Sequence, residues 1–177
     1  TLGLVGFGGI GTEVAKRAVP FGMKVIYFCR HPNPADDAAY GVQSVSMEEL
    51  LKESDYVVAA VPLTDQTFHL FNEECIAQMK AGSVLINIAR GPVVDEEALA
   101  QALASGHLGG CAVDVFPKEP CTDSVLTRYS NALLTPHSAT STAENSKATN
   151  FAAANNLVNY LKKDIDAKYV VVQGTRY

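Results

Sequence analysis

Short apolar runs alternate with amphipathic segments along most of this chain. The runs are TLGLVGF, KVIYFC, DYVVAAVP, SVLINIA, GGCAVDVF and NALLTP, which begin at residues 1, 24, 55, 83, 109 and 131. They are rich in Val, Ile, Leu and Ala and show almost no polar alternation. Because strands with this pattern are buried on both faces, the runs predict six strands of a parallel sheet.

Helical patterns occupy most of the gaps between these strands. Helices are predicted over residues 9–22, 46–54, 72–80 and 95–106, and a long helix is predicted from about Thr142 to Lys163. Ser46 and Glu49 have the spacing of a capping box, and Gly106 is placed to end a helix. The order of strands and helices predicts a doubly wound α/β sheet with right-handed crossovers. Phe151, Ala154, Val158 and Leu161 mark one face of the long helix.

Composition restricts the class of protein. The 177 residues are 47% hydrophobic and 19% charged, which suits one domain with a substantial core. The net charge of -5, with scattered Lys and Arg, favours small ligands over nucleic acid. No apolar run approaches the roughly 20 residues of a membrane helix, and no leader opens the chain, so a soluble cytoplasmic protein is expected. The four cysteines form no Cys-x-x-Cys pair, so no metal site is predicted.

The first strand runs directly into a glycine-rich turn. Gly6, Gly8 and Gly11 have the Gly-x-Gly-x-x-Gly spacing between a predicted strand and a predicted helix. In that context the spacing favours a dinucleotide site over an ordinary tight turn. The backbone amides of Gly9 and Ile10 are expected to face the phosphates from the helix N-terminus.

Three later residues follow strands at the predicted carboxyl edge of the sheet. Arg90 follows the fourth strand, Glu119 lies in a loop after the fifth, and His137 follows the sixth. Ligands of open α/β sheets bind at this edge. Taken singly, each residue could be a surface guanidinium, a solvated acid or a polar core residue. The combination of all three beside a dinucleotide favours a catalytic set.

Five motifs resemble the nucleotide-binding domain of the D-isomer-specific 2-hydroxyacid dehydrogenases, a family that includes phosphoglycerate dehydrogenases and glyoxylate/hydroxypyruvate reductases. The motifs are VGFGGIG, VPLTDQTFHLFN, LINIARGPVVDEEAL, GGCAVDVFPKEP and TPHSAT, and they cover nearly the whole chain. The resemblance implies hydride transfer between a nicotinamide cofactor and a small 2-keto or 2-hydroxy acid, with Arg90, Glu119 and His137 as catalytic residues. It places Asp114 at the nicotinamide carboxamide and Thr67 on the phosphate side. The expected cofactor contacts are Gly6, Gly8, Gly9, Ile10, Gly11, Cys29, Arg30, Val61, Pro62, Thr67, Ala89 and Asp114.

The same resemblance predicts the domain organisation. Residues 1–163 are expected to form the dinucleotide-binding domain. Residues 164–177, including a short strand in KYVVVQGTRY, are expected to return to a substrate lobe that is otherwise absent. The chain alone is therefore expected to bind cofactor without turning over substrate. A homodimer through this domain is also expected.

The end of the second strand predicts the cofactor. An NAD-binding fold carries Asp or Glu there, about 20 residues after the glycine turn, to bind the ribose 2′-hydroxyl. Here the position holds Cys29, followed by Arg30, and the nearest acids, Asp36 and Asp37, are expected in a loop. NADP is therefore predicted to be preferred, with NAD possible. This favours a glyoxylate/hydroxypyruvate reductase over an NAD-dependent phosphoglycerate dehydrogenase.

Two other classes of protein remain as alternatives at this stage. A corepressor-like relative that senses the dinucleotide could retain the same residues. A methyltransferase or a short-chain dehydrogenase is disfavoured by the order of Arg, Glu and His, and the latter also by the lack of a Tyr-x-x-x-Lys pair.

Overall fold

A computed structural model of the chain describes residues 1–166. It confirms the doubly wound α/β fold. The strands are β1 (Leu2–Val5), β2 (Val25–Phe28), β3 (Gln43–Ser44), β4 (Tyr56–Ala59), β5 (Val84–Asn87), β6 (Gly110–Val113) and β7 (Ala132–Leu134). The helices are α1 (Gly9–Ala18), α2 (Pro34–Tyr40), α3 (Met47–Glu53), α4 (Glu73–Ala77), α5 (Glu96–Ala104) and α6 (Ala143–Leu161).

All seven strands pair in parallel, in the order β3-β2-β1-β4-β5-β6-β7. β1 therefore pairs with β2 on one side and β4 on the other, so that Gly3 lies between Ile26 and Val57. The strand order reverses at β1 and β4. In such a sheet the ligand crevice forms outside the carboxyl ends of the strands at this switch point.

The central strand β1 is buried on both faces, as the lack of polar alternation predicted, but the prediction was wrong for the edge strand β7, whose Leu133 is 66% exposed. Leu4 and Tyr27 pack on one face with helix α1 residues such as Ala15. Ile26 and Val57 pack on the opposite face. Because successive side chains of a strand point to opposite faces, each central strand contributes to both cores.

Several predicted helix signals are present in the structure. The Ser46 hydroxyl accepts a hydrogen bond from the Glu49 backbone N–H at 3.2 Å and caps α3. Asp95 caps α5 by accepting from the N–H groups of Glu97 and Ala98. Gly106, just beyond α5, has a φ of 74°, in the region that favours glycine.

Two elements were missed by the sequence prediction of six strands. Helix α2 and strand β3 lie between β2 and α3, where a loop was expected. The prediction that Asp36 and Asp37 lie in a loop was wrong, because both are in the first turn of α2. The prolines suggested a loop, yet Pro34 occupies the first helical position, where a missing N–H costs nothing. The Asn33 side chain caps this helix by accepting from the Ala35 N–H.

The chain divides into two compact units, Thr1–His137 and a second that begins at Ser138. Helix α6 belongs to the second unit, and its bounds agree with the predicted long helix. Its apolar positions Phe151, Val158 and Leu161 are exposed. The predicted strand in residues 168–177 lies outside the described residues. No helix within residues 1–166 has the length and apolar character needed to span a bilayer.

Candidate active site and dinucleotide groove

The residues singled out from the sequence lie at the carboxyl ends of neighbouring parallel strands. Gly6 follows β1, Cys29 follows β2 and Val61 lies just beyond β4. Arg90 comes after β5, and His137 comes after β7. Since the strands are all parallel, these loops share one edge of the sheet.

The glycine-rich turn is built for close approach of backbone groups. Gly6 has a φ of 103°, and a Cβ there would collide with the carbonyl oxygen of Ala60. A Cβ on Gly11 would collide with the carbonyl oxygen of Gly6, so the third glycine lets α1 pack against the turn. Gly8 and Gly9 face open space, with no atom within 4 Å of an added Cβ. This open N-terminus of α1 fits a pyrophosphate, because its free N–H groups and dipole attract anions.

A groove of about 520 Å³ runs from this turn across the ends of β2 and β4. Its lining includes Gly6, Phe7, Gly8, Cys29, Arg30, His31, Val61, Pro62 and Thr67. Arg30 is exposed and makes no hydrogen bond or ion pair within residues 1–166. Its guanidinium is therefore available to a ligand in the groove.

Thr67 holds the loop that forms one wall of this groove. Its hydroxyl donates to the carbonyl oxygen of Pro62 at 2.6 Å and accepts from the Thr64 N–H at 2.8 Å. The hydroxyl thus fixes the turn between residues 62 and 67.

A second cavity, of about 390 Å³, lies between the loops that follow β4 and β5. Ile10, Val61, Pro62, Ala89 and Arg90 all line it. The start of α1, the loop after β4 and the loop that contains Arg90 therefore all border the same cavity.

Arg90 is positioned by buried backbone contacts. The Asn87 side chain, only 1% exposed, donates to the Arg90 carbonyl at 3.1 Å and accepts from the Ala89 N–H at 3.1 Å. Gly91 packs so tightly on the backbone of Phe116 that an added Cβ would collide with it. The Arg90 Nη1 donates to the Ala89 carbonyl at 2.7 Å, which leaves its other donors for a ligand.

Glu119 and His137 form a hydrogen-bonded pair. The distance from Nδ1 of His137 to Oε2 of Glu119 is 2.7 Å, and the Phe116 N–H donates to the other carboxylate oxygen at 2.9 Å. The bond from His137, that from Phe116 and the positive charges of His137 and Arg90 lower the pKa of Glu119, although partial burial opposes them. The ionised carboxylate selects the tautomer with a proton on Nδ1 and leaves Nε2 for other chemistry. The side chains of His137 and Glu119 are 41% and 36% exposed, so a ligand can reach them.

The His137 backbone is also unusual. Its φ of 51° lies in the left-handed region, which is uncommon for a residue other than glycine. Its N–H donates to the Thr135 carbonyl at 3.0 Å. Strain of this kind clusters at functional sites, so the geometry is consistent with a role for this side chain.

Asp114 is bound by a residue that the sequence reasoning missed. The Thr135 hydroxyl donates to Oδ1 of Asp114 at 2.5 Å. Asn87 and Gly91 were missed as well. Only Asn87 had a signal in the sequence, since it is a polar residue inside an apolar run.

No group of three or more His, Cys, Asp or Glu side chains within residues 1–166 could hold a metal ion.

Comparison with known proteins shows which protein family this chain resembles. The family model described as D-isomer specific 2-hydroxyacid dehydrogenase, NAD binding domain, matches residues 1–139. The glyoxylate reductase of Thermococcus litoralis is 42% identical over 170 residues, which are 96% of this chain and 51% of that protein. The hydroxypyruvate reductase of Thermotoga maritima is 47% identical over 148 residues, covering 81% of this chain and 47% of that protein.

A solved structure agrees with these relatives. The crystal structure of a glyoxylate reductase from Paecilomyes thermophila superposes with a TM-score of 0.86 at 40% identity, over 92% of this chain and 49% of that one. The chain thus spans about half the length of the curated relatives it matches.

Proposed function

This chain belongs to the D-isomer specific 2-hydroxyacid dehydrogenases, and on that premise we propose that the whole protein reduces a small 2-keto acid to a D-2-hydroxy acid. The observation that carries the proposal is the Glu119–His137 pair, which lies at the same sheet edge as Arg90 and the glycine turn. Glyoxylate and hydroxypyruvate are the proposed substrates, by similarity to the named relatives.

Arg90 is proposed to bind the substrate. A 2-keto acid carries a carboxylate and a carbonyl on adjacent carbons, and a guanidinium can bind the carboxylate through paired, charge-assisted hydrogen bonds. The same cation polarises the neighbouring carbonyl. The contacts of Asn87 and Gly91 hold the Arg90 backbone in place, and the bond from Nη1 to the Ala89 carbonyl orients the guanidinium before substrate binds.

His137 is proposed as the general acid. Its Nδ1 faces Glu119, so the proton on Nε2 is the one available to the alkoxide that forms at the former carbonyl carbon. Glu119 orients the ring and stabilises the imidazolium. In the direction of hydroxy-acid oxidation, neutral Nε2 accepts the hydroxyl proton.

A nicotinamide dinucleotide, when bound, supplies the hydride. The turn formed by Gly6, Gly8, Gly9, Ile10 and Gly11 would hold its pyrophosphate, as the open space at Gly8 and Gly9 supports. The remaining proposed contacts are Cys29, Arg30, Val61, Pro62, Thr67, Ala89 and Asp114.

We propose that NADPH is preferred over NADH. Cys29 offers no carboxylate for the ribose 2′-hydroxyl, and the exposed Arg30 lines the groove. Asp37 accepts hydrogen bonds from the Tyr27 hydroxyl and the Ser44 N–H, so its carboxylate is engaged elsewhere. These contacts leave positive charge at the end of β2.

The proposed activity can be tested with the whole protein and a panel of 2-keto acids. Loss of reduced-nicotinamide absorbance with glyoxylate or hydroxypyruvate would support it. If none of the panel were reduced while NADPH bound normally, the reaction would be wrong and the dinucleotide site would stand.

Glu119→Gln should reduce the rate less than loss of His137 and should move a limb of the pH profile. The lowered pKa of Glu119 keeps this carboxylate ionised through the neutral range, and its charge is lost only as pH falls through that lowered value. The amide cannot stabilise the imidazolium as a carboxylate does. For hydroxy-acid oxidation, which needs neutral His137, the acidic limb should therefore shift to lower pH. A pH series of kcat/KM measures this, and an unchanged limb would contradict the proposed pairing.

Cys29→Asp with Arg30→Ala should reverse the cofactor preference. The new carboxylate would repel a 2′-phosphate and accept from a 2′-hydroxyl. Loss of the guanidinium removes charge-assisted bonds, each worth about ten- to a hundredfold in affinity. Calorimetric titration with NADPH and NADH measures both constants. Arg17→Ala, which removes an exposed guanidinium that does not line the groove, is the control; equal reversal there would refute a local role for Arg30.

We also propose a cytoplasmic homodimer. The resemblance to the family supports the dimer, and the exposed apolar side chains Phe151 and Leu161 of α6 could contact a second copy of the chain.

A further inference from the structure

Tyr27 is a buried residue that the proposed chemistry does not use. It lies in β2 with 0% exposure, yet it carries a polar hydroxyl. That hydroxyl donates to Oδ1 of Asp37 at 2.7 Å. Burial and the carboxylate raise the pKa of Tyr27 to about 12, so the hydroxyl remains a donor throughout the physiological range. The bond therefore ties strand β2 to helix α2.

The ring of Tyr27 contacts the glycine-rich turn. It stacks on Phe7 with ring centroids 4.1 Å apart and an interplanar angle of 22°. Phe7 lies in the glycine-rich turn, between Gly6 and Gly8, and lines the groove. One side chain thus contacts both the turn proposed to hold the pyrophosphate and helix α2.

The basic loop, residues 29–33, joins β2 to α2. It starts at Cys29, where β2 ends, and ends at Asn33, which caps α2. Asp37, one helical turn later, is held by the Tyr27 hydroxyl and, through Oδ2, by the Ser44 N–H at 3.4 Å. Because the loop is short, a shift of α2 would move the backbone near Arg30.

We propose that the Tyr27 hydroxyl is a positioning group that sets the preference between phosphorylated and unphosphorylated dinucleotides. It acts through Asp37 and α2 on the basic loop, and so on the distance between Arg30 and a ribose 2′-phosphate. The inference rests on the proposed dinucleotide groove. NADH makes no use of that phosphate, so its binding depends less on the loop.

Tyr27→Phe tests the inference because it keeps the ring and the stack on Phe7 while removing the hydroxyl. We expect NADPH to bind about fivefold more weakly and NADH to change by less than about twofold, as loss of one well-placed hydrogen bond allows. Calorimetric titration of the protein with each cofactor measures both constants. Retained NADH binding and a cooperative unfolding transition would show that the variant is folded.

Tyr40→Phe is the matched control. Tyr40 ends α2 and contacts Phe7 edge-on, but its hydroxyl makes no hydrogen bond among residues 1–166. Its removal should leave the ratio of the two affinities at the parent value. If NADPH affinity fell equally in Tyr27→Phe and Tyr40→Phe, the effect would not be specific to the Tyr27 hydroxyl. That result would overturn the inference.

Asp37→Asn separates positioning from simple electrostatics. Removal of a negative charge alone should tighten NADPH binding, whereas loss of the acceptor for Ser44 should loosen α2 and weaken it. We expect Asp37→Asn to bind NADPH about two- to threefold more weakly than the parent. Asp36→Asn, the same charge change on the adjacent residue, should not weaken NADPH binding.

The inference fails if Tyr27→Phe keeps the parent ratio, or if Asp37→Asn tightens NADPH binding as Asp36→Asn does. The parent protein tests the cofactor proposal separately. A parent that prefers NADH would refute that proposal, while a shift of the ratio in Tyr27→Phe would still support the positioning role.

Discussion

Replacing His137 with Gln should lower kcat/KM for keto-acid reduction by at least about a hundredfold, the usual scale for loss of a general acid. Gln has a similar length but cannot carry a transferable proton at neutral pH. The loss should appear mainly in kcat, because the Arg90 loop is untouched. Steady-state kinetics of the whole protein measures it.

The left-handed backbone of His137 requires a second variant. Asn adopts this conformation more readily than most residues, so His137→Asn tests the lost imidazole with less backbone strain. His107→Gln is the matched control. His107 precedes β6, so it lies at the opposite end of that strand from the candidate site, and its ring is hydrogen-bonded to the Ile76 carbonyl at 3.0 Å. If His137→Gln reduced every keto acid near the parent rate, the assignment of the acid would be wrong.

Arg90→Ala should cost a similar factor, about a hundredfold in kcat/KM, because the substrate loses its bound carboxylate and the polarisation of its carbonyl. KM should rise as well as kcat fall. Arg90→Lys should recover part of the loss, since an ammonium supplies charge without the paired geometry. Steady-state kinetics with increasing substrate separates the two constants.

The control for Arg90 is Arg128→Ala, which removes an exposed guanidinium from the turn over Val125–Arg128. It should leave both constants near the parent values. A parent-like KM for Arg90→Ala would contradict binding of the carboxylate by this residue.

The central sheet was predictable because its signal is local and strong. An apolar run such as TLGLVGF can be satisfied only where both faces are covered, and β1 is such a strand, with all four residues buried. Strand β3 is two residues long and α2 begins at a proline, so neither carries enough pattern to be recognised. The error about Asp36 and Asp37 followed from that weakness.

Less of the candidate site could be derived from the sequence. The positions of Arg90 and His137 follow from parallel strands that end at one edge, which is a matter of topology. The contact of Glu119 with His137 depends on the path of the loop after β6, for which no periodic pattern exists. The bond between Tyr27 and Asp37 joins residues of two elements, one of which was not predicted.

The reversal of strand order at β1 and β4 has an evolutionary consequence. It assigns the proposed recognition of the adenosine end to loops after β1, β2 and β4, and the proposed chemistry to loops after β5, β6 and β7. If the proposed cofactor contacts hold, mutations in the five residues from Cys29 to Asn33 would change the choice between NADPH and NADH without moving Arg90, Glu119 or His137. A lineage with this sheet can adapt its coenzyme and its reaction along separate mutational paths.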